Sequence, residues 1–403
     1  MQSVKAGSKR LIREINEAII LDAVRTHGFR SRADIANDTG LSAPTVSGIT
    51  ADLIDRNLVY EHSTGESAGG RRPVMLALNA GAGYVIGVKV TETAVIAVLT
   101  DLAATVLHRR HRQLKGSDVD RVVKLIAEIT DDLRSKIPGR PIYGLGVGTA
   151  GVVDSVHGIV HHGTYAHWRD VPLGDLLYQR TGLPTIVEND VNALAVSEHW
   201  FGVGKGIADL LVVSLGRGIG FGLILDGRLY RGAYGGAGEF GHVKIADDHR
   251  PCACGGAGCL EAVIADPALE ATFTELAGRS MSTADAADAA RTGNEAYRSV
   301  FDAAGRELGR AISNLVNILN PELIVLSGEG SHAADLMMQA LTDELRQHTF
   351  DGLLDGVDVV VEPWDDEAWA RGAASLVLAE MFQPALRPHD GVERPTLALS
   401  LTG

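Results

Sequence analysis

Three cysteines and one histidine carry the strongest chemical signal in the chain. Gly241-His242 precedes Cys252-Ala253-Cys254-Gly255-Gly256-Ala257-Gly258-Cys259, and the 403 residues contain no other cysteine. One imidazole and three thiolates form a closed Cys₃His set for zinc, a structural site because no coordination position stays open for water. Three cysteines confined to eight residues also argue for metal ligation over a secreted disulfide framework. Buried thiols without a metal are the competing reading. Glu239 and Glu261 flank the loop. A metal drawing the loop together would set both carboxylates near one imidazole, and convergent acceptors of this kind suit a polyhydroxylated ligand. Taken singly, either glutamate reads equally well as a solvated surface group.

A second chemical signal lies at Pro184-Thr185-Ile186-Val187-Glu188-Asn189-Asp190-Val191-Asn192-Ala193. A strand here runs into a helix with Asn189 and Asp190 at its mouth, where α/β sheets place ligands, and a carboxylate there can take a proton from a hydroxyl. The alternative is a helix N-cap by either residue. Residues 209–232 form a glycine-punctuated hairpin, Leu215-Gly216-Arg217-Gly218-Ile219-Gly220-Phe221-Gly222 at its centre. Glycines there let backbone amides approach a phosphate or a sugar. Gly144 to Gly151 is not a dinucleotide fingerprint, because Val152-Val153-Asp154 continues as strand where that motif opens a helix.

The elements that hold these residues read as α/β. Tyr84–Val90 and Ala94–Asp101 are apolar runs, a helix spans about Asp118 to Lys136, and Ile142–Gly148 is a strand. Asn314 to Gly328 reads as helix, turn and strand. The last helix, 367–382, is expected to pack back on the first lobe, and 383–403 to be a flexible tail.

The first eighty residues differ in kind. Ile15, Ile19, Ile20, Ala23 and Val24 make one helical stripe. Ser31-Arg32-Ala33-Asp34 has the form of a capping box, and Gly40 stops that helix. Ser42 then caps a third helix, with Pro44 in its first turn, running to about Arg56. Two short helices about a glycine turn form a helix-turn-helix, whose second helix offers Ser42, Thr45 and Ser47 to the major groove. Leu58–Glu61 and Pro73–Leu78 read as strands of a wing with a tip at Gly65 to Gly70. Arg71 and Arg72 on that glycine stem suit a minor groove or phosphates, against the alternative of a solvated basic turn. Arg32 joins these as a candidate DNA contact.

Composition limits the rest. The net charge is −14, but residues 1–79 hold ten basic and nine acidic side chains (+1), and the remaining 27 basic and 42 acidic ones give −15. Only the N-terminal segment is therefore a plausible partner for DNA. No apolar run reaches the roughly 18 residues that span a bilayer, and Met1 to Arg13 lacks a signal-peptide core, so a cytoplasmic protein with no membrane partner is expected.

Together, Glu188-Asn189-Asp190-Val191-Asn192-Ala193, the 215–222 glycine turn, Gly238-Glu239-Phe240-Gly241-His242 and Cys252-x-Cys254-Gly255-x-x-Gly258-Cys259-Leu260-Glu261 resemble the ROK family (repressors, open reading frames, kinases), in particular its NagC/XylR-type regulators. The resemblance runs from about Ile15 to Phe382. It implies a two-lobed actin-like ATPase (ribonuclease H-like) sugar-kinase fold behind the winged helix-turn-helix: head 1–80, first lobe 81–200, second lobe with zinc loop 201–366. It also implies a sugar or sugar phosphate touched by Asn189, Asp190, Glu239, His242 and Glu261, with His242 serving both zinc and ligand. In the family's kinases the residue at Asp190 is the base. This chain departs from those kinases at the first phosphate loop, where Lys89 in Gly87-Val88-Lys89-Val90-Thr91-Glu92-Thr93 replaces an aspartate, and at Arg217, which replaces a threonine. Phosphoryl transfer is almost wholly positioning and charge neutralisation, so these losses imply no kinase activity. The Pro-Gly turn of the family is Ala150-Gly151 here. The expectation is a sugar-responsive repressor of carbohydrate genes, a homodimer or dimer of dimers on operator DNA. An active sugar kinase with a DNA-binding head is the rival, and a ligand-blind DNA-binding protein the third reading.

Overall fold

A computed structural model describes residues 9–64, 73–164, 168–245, 249–362 and 366–382. The wing tip, Arg71, Arg72 and the 383–403 tail lie outside the described residues. Two units emerge, one comprising residues to Ala193 together with Ala370 onward, the other Leu194–Trp369.

The first unit begins with helix α1 (Lys9–His27), a two-residue strand β1 (Arg30–Ser31), α2 (Arg32–Thr39), α3 (Ala43–Asp55) and the wing strands β2 (Val59–Thr64) and β3 (Val74–Leu78). Local chemistry sets each boundary. The Ser31 hydroxyl accepts from the Asp34 amide while the Asp34 carboxylate accepts from the Ser31 amide, so two orphan donors of α2 are satisfied. Gly40 ends α2 at φ 69°, a left-handed conformation that glycine adopts without strain. Ser42 caps α3, with Pro44 in its first turn. β1 pairs with β3, an addition the sequence did not announce, and β3 pairs with β2. Ile20, Leu21, Val24, Ile35, Val46 and Leu53 are buried beneath these elements.

A five-stranded sheet follows, of β4 (Tyr84–Val90), β5 (Ala94–Asp101), β6 (Val106–Gln113), β7 (Ile142–Thr149) and β11 (Thr185–Asn189), in the order β11-β7-β4-β5-β6. Helix α4 (Val119–Arg134) lies between β6 and β7 in the chain. A three-stranded sheet, β8 (Gly151–Asp154), β9 (Ile159–Gly163) and β10 (Arg169–Val171), and α5 (Leu173–Thr181) precede β11, and α6 (Asp190–Phe201) continues directly from it. β4, β7 and β11 run parallel, so their carboxyl ends share one edge.

In the second unit, β12 (Leu210–Leu215), β13 (Ile219–Leu225) and β14 (Arg228–Leu229) precede α7 (Glu261–Ile264), α8 (Asp266–Ala277), α9 (Thr283–Arg291), α10 (Glu295–Leu319), β15 (Leu323–Ser327), α11 (Ala334–His348) and β16 (Asp358–Val361). Its sheet order is β14-β13-β12-β15-β16. A core of Leu211, Val213, Phe273, Phe301, Leu308, Ile312 and Leu341 fills it.

Helix α12 (Asp366–Phe382) belongs mostly to the first unit. It meets β4 and β7 at two glycines, because a Cβ on Gly87 would lie 2.0 Å from the Ala370 carbonyl oxygen and one on Gly146 1.8 Å from that of Ala373. Backbone thus packs on backbone. Among the described residues, no helix is long and apolar enough to cross a membrane. Gly146→Ala is expected to destabilise the chain by about 2 kcal/mol or more through overpacking. Urea melts check this against Gly356→Ala, where nothing lies within 4 Å of the added carbon.

Candidate functional site

Three groups of chemistry-bearing residues occur, each within one unit. In the head, the start of α3 presents Ser42 and Ser47 exposed and Thr45 half-buried. Ser42 is already engaged as a cap, its hydroxyl 2.8 Å from that of Thr45. Arg32 is braced rather than extended. Its Nε donates to Thr50 Oγ1 at 3.1 Å and its Nη2 to Glu61 Oε1 at 3.2 Å, tying α2 to α3 and to the wing. Phe29, between α1 and β1, stacks on His62 of the wing strand β2 at 4.2 Å, with Tyr60 edge-on to His62, and Phe29 and Tyr60 are exposed.

The second group lies at the carboxyl edge of the first sheet. Asn189 Oδ1 accepts from the amides of Val191 and Asn192 at 2.9 and 3.2 Å, and its Nδ2 donates to the Gly151 carbonyl. Asn189 therefore caps α6 and straps the 150–151 turn at once. Glu188, fully buried, accepts from the Asn189 amide and the Asn192 side chain. Asp190 Oδ1 accepts from its neighbour's amide at 2.9 Å, and Oδ2 accepts from Lys89 Nζ. Lys89 and Asp190 are both buried. The pairing was not anticipated from the sequence, although a lone lysine in the apolar strand Tyr84-Val85-Ile86-Gly87-Val88-Lys89-Val90 demands a counter-charge once buried.

The third group is the cysteine loop of the second unit. The donor atoms of His242, Cys252, Cys254 and Cys259 lie within 4.8 Å of one another. Cys252 Sγ is 3.6 Å from His242 Nδ1, and Cys254 Sγ is 3.7 Å from Cys259 Sγ. A tetrahedron with metal–sulfur arms near 2.3 Å has edges of about 3.8 Å, so the donors fit one four-coordinate ion. Burial pushes the Cys252 thiol up to about 11, whereas the Gly256 amide holds Cys254 below the usual thiol value. Lys244 Nζ donates to Cys259 Sγ at 3.0 Å and to the Ala257 carbonyl at 2.7 Å, a partner that no spacing rule reveals. The two nitrogens of His242 face different ways: Nδ1 toward the thiols, Nε2 toward Glu239 Oε2 at 3.8 Å. Glu239 is exposed, while Glu261 Oε2 accepts from the Ile219 amide at 3.0 Å. That amide belongs to the 215–222 turn, so a carboxylate of the protein itself fills one donor of the turn. The Glu329 carboxylate flanks the same turn, 2.5 Å from where a Cβ on Gly216 would stand.

A mixed five-stranded-sheet unit, a second such unit with a Cys₃His loop, and a winged helix-turn-helix head define a two-lobed sugar-kinase-like class fused to a DNA-binding module. The chain belongs to the ROK family, whose model matches residues 85–380. It is 29% identical over 392 residues to the xylose repressor of Caldicellulosiruptor bescii, covering 93% of this chain and 98% of that one. It is also similar to the crystal structure of a ROK family transcriptional regulator described as a homolog of the E. coli MLC protein, with TM-score 0.81, 27% identity and coverage of 91% and 96%. The ROK family glucokinase of Streptomyces griseus, solved with glucose and AMPPNP, matches at TM-score 0.63 and 28% identity, covering 73% of this chain and 99% of the glucokinase.

Cys254→Ser is expected to abolish stoichiometric metal binding, because one of four donors is lost from a closed site. Elemental analysis of purified protein checks this, and full metal occupancy in the variant would count against the assignment.

Proposed function

We propose that this protein is a sugar-responsive transcriptional repressor of carbohydrate uptake or metabolism genes. The observation that carries the reading is the extent of similarity: a xylose repressor matches nearly end to end, head included, while a sugar kinase matches about three quarters of the chain. Ser42, Thr45 and Ser47 would meet operator DNA from α3, with Arg71 and Arg72 of the wing and Arg32 beside them. Residues 1–80 would form the head, 81–200 the first lobe and 201–366 the second. Two copies would read a two-fold site, as helix-turn-helix proteins do.

The effector would be a carbohydrate held by Asn189, Asp190, Glu239, His242 and Glu261, with D-xylose the first candidate from the relative's name. Zinc on His242, Cys252, Cys254 and Cys259 would supply a structural tie and no reacting group. The cross-link would set the His242 ring, so that Nε2 and Glu239 face the ligand together. The effector alters operator affinity only to the extent that it binds two arrangements of the protein unequally, and DNA then changes effector affinity by the same factor.

The kinase reading has the retained Asp190 in its favour. Against it stands Lys89, whose ammonium engages the carboxylate that would have to accept a hydroxyl proton. In the second unit, Glu261 and Glu329 crowd a turn that would have to welcome phosphates, and like charges there oppose nucleotide binding.

Gel shifts of the promoter region with and without D-xylose, D-glucose, N-acetyl-D-glucosamine and their phosphates test the reading. One sugar is expected to change operator affinity by about 5- to 150-fold. No phosphorylation is expected when the same panel is incubated with ATP and magnesium. Turnover abolished by Asp190→Asn would overturn the assignment in favour of a kinase. Indifference to every sugar, with DNA binding intact, would favour a constitutive DNA-binding protein.

A further inference from the structure

Lys89 need not be only the scar of a lost phosphate loop. It is the sixth residue of β4, in register with Gly148 on β7, which is in turn opposite Glu188 on β11. Its ammonium therefore stands at the shared carboxyl edge of three parallel strands, where such sheets bind ligands. It is fixed there by Asp190, whose Oδ1 is held by the Val191 amide, so neither charge is free to swing away. The two side chains retain 8% and 11% of their accessible surface. Beside the pair, the next residues along β4 and β7, Val90 and Thr149, line a small pocket with Ala150, Thr164 and Trp168, which Lys89 and Asp190 themselves do not line.

The pair has a specific complementarity. A carboxylate only accepts hydrogen bonds and an ammonium only donates them, whereas a hydroxyl does both. We propose that Lys89 and Asp190 together read one free hydroxyl of the carbohydrate effector, the carboxylate accepting its proton and the ammonium donating to its oxygen. Lys89 is then a specificity-determining contact, and the inference rests on the sugar reading above. The pair carries no net charge, so it selects a neutral group. A phosphoryl ester at that position would set its negative charge against Asp190 and exceed the space. An ether or a hydrogen in place of the hydroxyl would cover the ion pair without returning both of these hydrogen bonds, which is how polar sites reject analogues.

Calorimetry on the full chain tests this with D-xylose, D-glucose, N-acetyl-D-glucosamine and the single-position deoxy analogues of whichever binds. In the wild type, one deoxy analogue is expected to bind about 10- to 100-fold more weakly than its parent, the range for hydrogen bonds to charged groups. In Lys89→Met the parent sugar is expected to weaken by a similar factor, and the gap between the parent and the same deoxy analogue to narrow to the part that Asp190 alone supplies. A merely structural lysine would instead weaken parent and analogues equally, and that result overturns the proposal, as does unchanged sugar affinity in Lys89→Met. Should the single variant melt early from its unpaired carboxylate, Lys89→Met/Asp190→Asn removes both charges and must show the same loss of discrimination. A wild type that binds none of the sugars overturns the sugar reading and this inference with it. Binding without the coupling overturns this inference alone.

Discussion

A lysine that keeps only 6% of its surface in water must be matched by an opposite charge, and the first sheet is arranged around that requirement. Lys89 rises from a strand whose other members are apolar, and no polar neighbour on β4 can satisfy it. Its counter-charge comes from the first residue of α6, and Asp190 occupies that place because β11 runs parallel to β7 and hands its chain straight into the helix. Asn189 fixes the junction from the other side, capping α6 with its oxygen and strapping Gly151 with its nitrogen. The site residues of the first unit are thus a single polar network laid over the ends of apolar strands. Each member positions the next.

The cysteine loop of the second unit is held by different means. Between Phe240 and Cys259 the chain has few apolar side chains with which to hold a shape, and a four-donor ion would supply the missing constraint. Even without a metal bond the thiols are drawn in, since Lys244 binds Cys259 and the Ala257 carbonyl, and the strand-like bridges Lys244 to Cys259 and Pro251 to Ala257 close the loop. A set of three thiolates and one divalent ion has a residual negative charge, and Lys244 offsets it. His242 occupies the boundary, one nitrogen on each side.

How much of this was legible in the sequence depends on whether the cause was local. β4 and β5 are found where the apolar runs put them, and the capping box at Ser31, the Gly40 stop and the Ser42 cap are interactions within four residues. β6 escaped notice because Val106-Leu107-His108-Arg109-Arg110-His111-Arg112-Gln113 is an edge strand paired only to β5, and its charged faces carry no apolar alternation. Helix α9 and the first part of α10 begin at the caps Ser282 and Asn294, whereas the sequence pattern marks only the end of α10, from Asn314. The cysteine cluster was legible because its donors are close in the chain. The Lys89 to Asp190 pair was not, since 101 residues separate the partners and only the sheet register joins them.

Helix α12 touches both the first sheet and α1 of the head. Gly87, two residues from Lys89, and Gly146 press backbone to backbone on Ala370 and Ala373, so a shift of β4 or β7 has no side-chain cushion to absorb it. The same helix ends at Phe382, which is buried, with the Arg25 guanidinium 6.0 Å from its ring centroid. Arg25 is itself paired with Asp22 on α1, the helix that precedes α2 and α3. Burial lowers the proton affinity of Arg25, and Asp22 opposes that effect. Such a chain of stiff contacts is a means of transmission and not by itself a switch, because coupling needs two arrangements whose balance both ligands bias. Close backbone packing at the glycine seam leaves β4, β7 and α12 little room to deform independently, so any second arrangement of this unit has to move the three elements together.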